Sequence, residues 1–234
     1  MKNLASSCLA VVAAVAVASS SQAAFVYGGG TQTGSRFNPG ASVITYMNCF
    51  TAVTAGQTQL SIDSAIFGIR RLVSAGALVD VGVNIYAAAM TFDGVNFGAG
   101  PNTLVYSTAS LGAGTASVTQ LVNTGAVSGV TLDLETVSNA GFGGWWIGVE
   151  FTGANAANTA NGWRVIGAPT TGSSIDAFGM YNNAASGVFQ AFWNLGAGNP
   201  SRLMVDVNGT LIPAPGAIAL LGLAGLVSRR RRNN

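Results

Sequence analysis

Four stretches of this chain alternate apolar and polar residues with a period of two, and that pattern restricts the fold more than any other feature. Val79, Val81, Val83 and Ile85 alternate with Asp80, Gly82, Asn84 and Tyr86. Val130, Leu132 and Leu134 alternate with Thr131, Asp133 and Glu135. Trp145, Ile147, Val149 and Phe151 alternate with Trp146, Gly148 and Glu150. Leu203, Val205 and Val207 alternate with Arg202, Met204 and Asp206. Successive side chains of a strand point to opposite faces, so each run predicts a strand with one buried face. Weaker runs at 43–52, 58–71, 103–109, 116–122, 163–167, 174–181 and 187–195 bring the expected number to around ten. Gly, Asn, Thr and Ser punctuate them as turns, and the 32 glycines serve that role. Short strands without intervening helical patterns predict an all-β fold, a single antiparallel β-sandwich with jelly-roll-like connections. The Ala- and Asn-rich stretch 153–162 reads as an exposed mobile loop. No fixed-period repeat points to a propeller or β-helix.

Charge excludes several functions. The chain carries +2 overall, but Lys2 and four of the arginines lie at its two ends. Between the ends, Arg36, Arg70, Arg71, Arg164 and Arg202 face eight acids, a net of −3. Such a domain lacks the basic footprint of a nucleic-acid binder. With no histidine, a Ser-His-Asp triad and a His-based zinc site are both unavailable. Cys8 lies in the N-terminal segment, which leaves Cys49 alone in the domain with no partner for an internal disulfide; it reads as a small buried hydrophobe. No cofactor is expected. Asp93-Gly94-Val95-Asn96-Phe97-Gly98 has the look of a calcium loop, but position twelve from Asp93 is Leu104, where the closing acid should stand. A plain turn is the reading there, and no metal is expected.

The two ends differ from the middle. Lys2 precedes an apolar run over residues 4–18, and Ser21 and Ala23 supply the small residues that a signal peptidase reads. Residues 1–23 are therefore expected to be a helical signal peptide cut between Ala23 and Ala24. Residues 24–211 form the expected domain. From 212 the chain reads Ile212, Pro213, Ala214 and Pro215, then a wholly apolar stretch over 216–227, then Ser228, Arg229, Arg230, Arg231 and Arg232. The prolines are expected to break any strand and hold the chain extended. The apolar stretch is about a dozen residues, short of the ~20 of a full bilayer crossing, and has no polar face. The arginines would hold its far end on the cytoplasmic side.

This order of a Pro-x-Pro motif, a short Leu/Gly/Ala helix and a terminal arginine cluster resembles the PEP-CTERM sorting signal. Ala214 stands where that motif has its central Glu, making Pro-Ala-Pro a variant of it. The resemblance covers residues 212–234 only. It implies a transmembrane helix that holds the exported protein in the inner membrane. It also implies a partner, an integral-membrane protease of the exosortase type, that cuts near the motif and passes the protein to the cell surface or beyond.

Sequence alone offers little chemistry for the domain. The water-facing aromatics are Tyr86 and Trp146 on polar strand faces and Trp163 and Trp193 beside loops; they are the candidate platform for stacking on sugar rings of an extracellular polysaccharide. Asp133 and Glu135 share one strand face, and Glu150 is the remaining candidate for a glycosidase pair; solvated carboxylates are the simpler reading. The expectation is an exported, non-enzymatic surface or matrix protein. A carbohydrate-binding module is the alternative, and a secreted glycoside hydrolase a second one.

Overall fold

The computed structural model describes residues 24–38, 40–54, 56–71, 80–92, 97–112, 119–136, 141–158, 161–174, 178–182, 189–193 and 202–214. Residues 1–23, expected as a signal peptide, the expected turn at 93–96, Pro215, the apolar stretch 216–227 and Arg229 to Arg232 lie outside the described residues. What is described is all-β. The first five strands are β1 (Ala24–Tyr27), β2 (Gln32–Phe37), β3 (Val43–Ala52), β4 (Gln57–Arg71) and β5 (Gly82–Phe92). β6 (Phe97–Ala99), β7 (Thr103–Thr108), β8 (Thr119–Asn123), β9 (Thr131–Asp133) and β10 (Phe142–Thr152) follow. The chain ends through β11 (Asn161–Ile166), β12 (Phe178–Asn182), β13 (Phe189–Trp193), β14 (Arg202–Leu203) and β15 (Val205–Pro213).

These strands form two antiparallel sheets. The first is built on the long β4, which β15 joins along residues 57–67 and β11 continues along 69–71. β9 and β8 pair with β4 as well, β1 lies outside β15, and β2 outside β11. The second sheet runs β13-β12-β3-β10-β5, with β6 and β7 both paired to β5. Neighbours are mostly distant in sequence, because the chain crosses between sheets after β2, β3, β4, β7, β9, β10, β11 and β13.

One core fills the space between the sheets. β10 contributes Trp145, Ile147, Val149 and Phe151 from the second sheet; β4 contributes Leu60, Ala65, Phe67 and Ile69 from the first. Rings join the layers: Tyr27 of β1 meets Trp145 edge-on at 6.2 Å, and Phe67 packs against Trp163 within the first sheet at 6.0 Å. An indole of this kind removes about 200 Å² from water, so each contributes about 5 kcal/mol before ordering costs. The alternation at 130–134 and 203–207 is seen as expected, with Val130, Leu132, Leu134, Leu203, Val205 and Val207 all buried.

Three expectations are corrected. First, Trp146, Gly148 and Glu150 do not face water, because a second apolar cluster of Ile44, Tyr46, Phe50, Ala88, Met90 and Trp146 covers the outer side of the second sheet. Second, 153–162 is an exposed loop only in part: Gly153, Ala154, Asn155 and Ala157 are exposed as expected, but the stretch is tied down further on. Asn38 Nδ2 donates to the carbonyls of Ala156 and Asn158 at 3.2 and 3.0 Å, Ala156 is buried, and Asn161 already belongs to β11. Third, Pro213 does not break the strand but closes it. β15 pairs with β4 as far as Pro213 opposite Gln57, with a bulge between Ile212 and Pro213. A bulge at a strand's last residue needs no ladder donor, so a proline is tolerated there.

Candidate functional site

Two rings of the expected aromatic platform are not at the surface. Trp146 is 0% exposed and Trp163 1%. Trp163 points into the core and its Nε1 donates to the carbonyl of Met204, the residue between β14 and β15, at 2.8 Å. Trp146 lies on the outer side of β10, where residues 97–102 fold over it. Its Nε1 donates to the Gly98 carbonyl at 2.8 Å, and the Tyr46 hydroxyl donates to Asn102 Oδ1. Tyr86 is half-buried, with its hydroxyl donating to Glu150 Oε2 at 3.0 Å. Burial, and then that carboxylate, push the Tyr86 phenol above its ordinary range. Trp193 ends β13, its backbone opposite Phe178. Two of the four rings are therefore core residues, and a third is tied into a polar network.

The carboxylates are equally dispersed. Asp133 lies on β9 in the first sheet and accepts from Gln59 Nε2 at 2.7 Å. Glu135 follows β9 and is bridged to β10 by reciprocal backbone bonds with Gly144. Glu150 lies on the outer side of the second sheet, where Asn84 Nδ2 and the Tyr86 hydroxyl both donate to Oε2. Ser107 extends this network by donating to Asn84 Oδ1 at 2.7 Å. The Asp133 and Glu150 carboxylates are each held by their own local donors. Among the described residues no three His, Cys, Asp or Glu side chains are grouped as a metal site would require.

The Pro-x-Pro stretch begins on the sheet. Leu211, Ile212 and Pro213 sit opposite Leu60, Gln59 and Gln57, and the Ala214 amide donates to the Gly56 carbonyl at 2.5 Å. Ala24, the residue after the expected signal cleavage, opens β1 opposite Gly209. Among the described residues β1 reaches no further along β15, and 210–213 pair with β4 alone. Four residues of extended chain span about 13 Å, so the domain's first residue and the start of the motif lie at the same end of one sheet.

Sequence reasoning passed over the outward side of β2, β4 and β11. Arg36 stands opposite Arg164, and Arg70 opposite Gly162. The arginines looked scattered because only strand register, which spacing does not reveal, brings positions 36, 70 and 164 together.

Two buried ionisable groups lie between the sheets. Burial pushes the Cys49 thiol well above its ordinary 9.0, and burial first, then Cys49, raises the Tyr27 phenol far above 10.0. Above pH about 9 the unfolded chain sheds these protons while the folded one keeps them. Stability should therefore fall by about 1.4 kcal/mol per pH unit for each group in play. A urea midpoint that holds from pH 7 to 9 and drops above it is the expected result. Iodoacetamide should correspondingly label Cys49 only once the protein unfolds.

The class defined by this fold is an antiparallel β-sandwich. Compared with known proteins, the chain matches no family model, no curated protein and no solved structure.

Proposed function

We propose that this chain is an exported, non-enzymatic protein of the cell surface or extracellular matrix, carried there by a cleaved signal segment and a PEP-CTERM-type sorting tail. The observation that carries the reading is the order of the C-terminal parts: Pro213-Ala214-Pro215, the apolar stretch 216–227, and Arg229 to Arg232. Signal peptidase and an exosortase-type membrane protease are the implied processing partners, and the membrane is the transient anchor. The sandwich, with jelly-roll-like connections, is the cargo. Its form supports the reading in one respect. Ala24 and Pro213 leave the same end of the first sheet, so the signal helix and the tail helix would meet one membrane without the domain having to turn over. The absence of histidine and the separate placement of Asp133, Glu135 and Glu150 favour a non-enzymatic role.

The arginine cluster gives the test. Each arginine costs about 2.5–3.5 kcal/mol near the bilayer centre, so four in succession stop the tail from sliding through. Changing Arg229, Arg230, Arg231 and Arg232 to Ser should release full-length protein with an intact tail into the medium. Fractionation followed by intact-mass measurement reads this directly. Retention and processing as in the wild type would refute the membrane-held tail.

A further inference from the structure

The outer face of the first sheet gathers three cations. Arg164 on β11 stands directly opposite Arg36 on β2, and Arg70 on β4 stands opposite Gly162, two positions before Arg164. Residues two apart share a face, so all three stand on one side of the sheet, away from the core. Gly162 makes the approach possible. A Cβ there would lie 2.9 Å from both Cβ and Cγ of Arg36, so the Arg36 stem runs across the bare glycine towards Arg70. Like charges set opposite one another across a ladder are destabilising. Burial, and then the Arg70 charge, lower the proton affinity of both Arg36 and Arg164.

Two donors of this cluster are unspent. Nε of Arg70 and Nε of Arg164 are shielded from water and have no hydrogen-bond partner among the described residues. With Nε covered, the outer guanidinium nitrogens of the half-buried Arg36, Arg70 and Arg164 are what an oxyanion would meet, and its charge would relieve their mutual repulsion. Among the described residues, Asp63 accepts from Thr210, Asp80 Oδ2 from Ser110, Asp133 from Gln59, and Asp206 from the Gly29 amide. Beside the arginines, Thr119 stands opposite Arg70, and Leu121, 57% exposed, stands opposite Gly68 on the same face. A hydroxyl and an open apolar surface thus flank the cations, which suits a sugar bearing an acidic group.

We propose that Arg36, Arg70 and Arg164 form a binding face for an acidic polysaccharide, with the guanidinium groups taking uronate carboxylates and Leu121 and Thr119 receiving the sugar ring. The oxyanion site stands on the geometry; the choice of polysaccharide rests on the surface-and-matrix reading above. The test uses the purified full chain with polygalacturonate as probe, dextran as the neutral control, and inorganic sulfate and a single-stranded oligonucleotide as competing anions. Polygalacturonate should bind and dextran should not, with affinity falling as salt rises from about 50 to about 500 mM. The double variant Arg70→Gln/Arg164→Gln should lose binding about tenfold or more, because charge-assisted bonds carry it. Relief of the repulsion should leave its thermal midpoint equal or higher. Arg164→Lys, which keeps the charge but not the planar fork, should lose about threefold. Arg202→Gln removes a charge that is turned instead towards Ser174, and binding should be unchanged. Equal loss in Arg202→Gln, equal binding of dextran, or tighter binding of the oligonucleotide would overturn the proposal. So would sulfate raising the thermal midpoint while polygalacturonate fails to bind, which would leave only an inorganic-anion site. None of these outcomes depends on how the tail is processed.

Discussion

Trp146→Ala should destabilise the domain by about 3–5 kcal/mol, a large share of the ~5–15 kcal/mol that holds a domain of this size together. The indole is wholly buried and meets the Tyr46 ring edge-on at 6.5 Å and 74°. Its Nε1 holds the Gly98 carbonyl, adding to the backbone ladder that pairs β6 with β5. Truncation would leave a cavity among Ile44, Phe50, Ala88 and Met90 and an unanswered carbonyl above it. Urea denaturation checks the magnitude, and loosened exchange protection over residues 97–102 checks the mechanism. Polygalacturonate affinity should be untouched, since the arginine face belongs to the other sheet. A variant that kept its stability and lost glycan binding would restore Trp146 to the surface role that the sequence first gave it.

The second large effect concerns Pro213 and Pro215. Changing both to alanine should leave the protein uncut in the membrane fraction, while the domain's own stability shifts by no more than about 1 kcal/mol. The reason lies in how β15 ends. Pro213 is the last paired residue and Ala214 donates to the Gly56 carbonyl, so the motif starts at the point where the sheet lets go of the chain. A proline lacks the amide that would continue the ladder. Alanine at both positions restores two amides, and the strand gains the means to extend alongside the 54–57 turn and draw the cut site into the sheet. Membrane fractionation with intact-mass analysis decides it. Processing at the wild-type rate would reduce the motif to a hinge.

The sequence announced the sandwich because its core obeys the simplest rule of a strand, a period of two. Val130 to Leu134 and Leu203 to Val207 show the rule on the half-exposed strands of the first sheet. It failed on β10, where both faces are buried. On the outer side of that strand Gly144, Trp146 and Gly148 follow one another, and the glycines read as a polar face. They are openings instead. A Cβ at Gly148 would come within 2.7 Å of the Tyr46 ring, and one at Gly144 within 2.7 Å of the Met90 sulfur. A large ring with glycine two residues away on each side was the available signal of an aromatic cluster under cover. Trp163 was misjudged because it follows an Ala- and Asn-rich stretch, although the sheet resumes at Asn161. The arginine face could not be seen at all, because it depends on the pairing of β2 and β4 with a strand far from both in sequence.

The tail was the clearest part of the sequence, and its meaning turns on one measurement: the intact mass and N-terminal sequence of the protein recovered outside the cell. The sorting account predicts a chain that begins Ala-Phe-Val-Tyr at Ala24 and ends near Pro213 to Pro215, without the apolar stretch or Arg229 to Arg232. Extracellular protein that carries those arginines, or begins within residues 1–23, would contradict it.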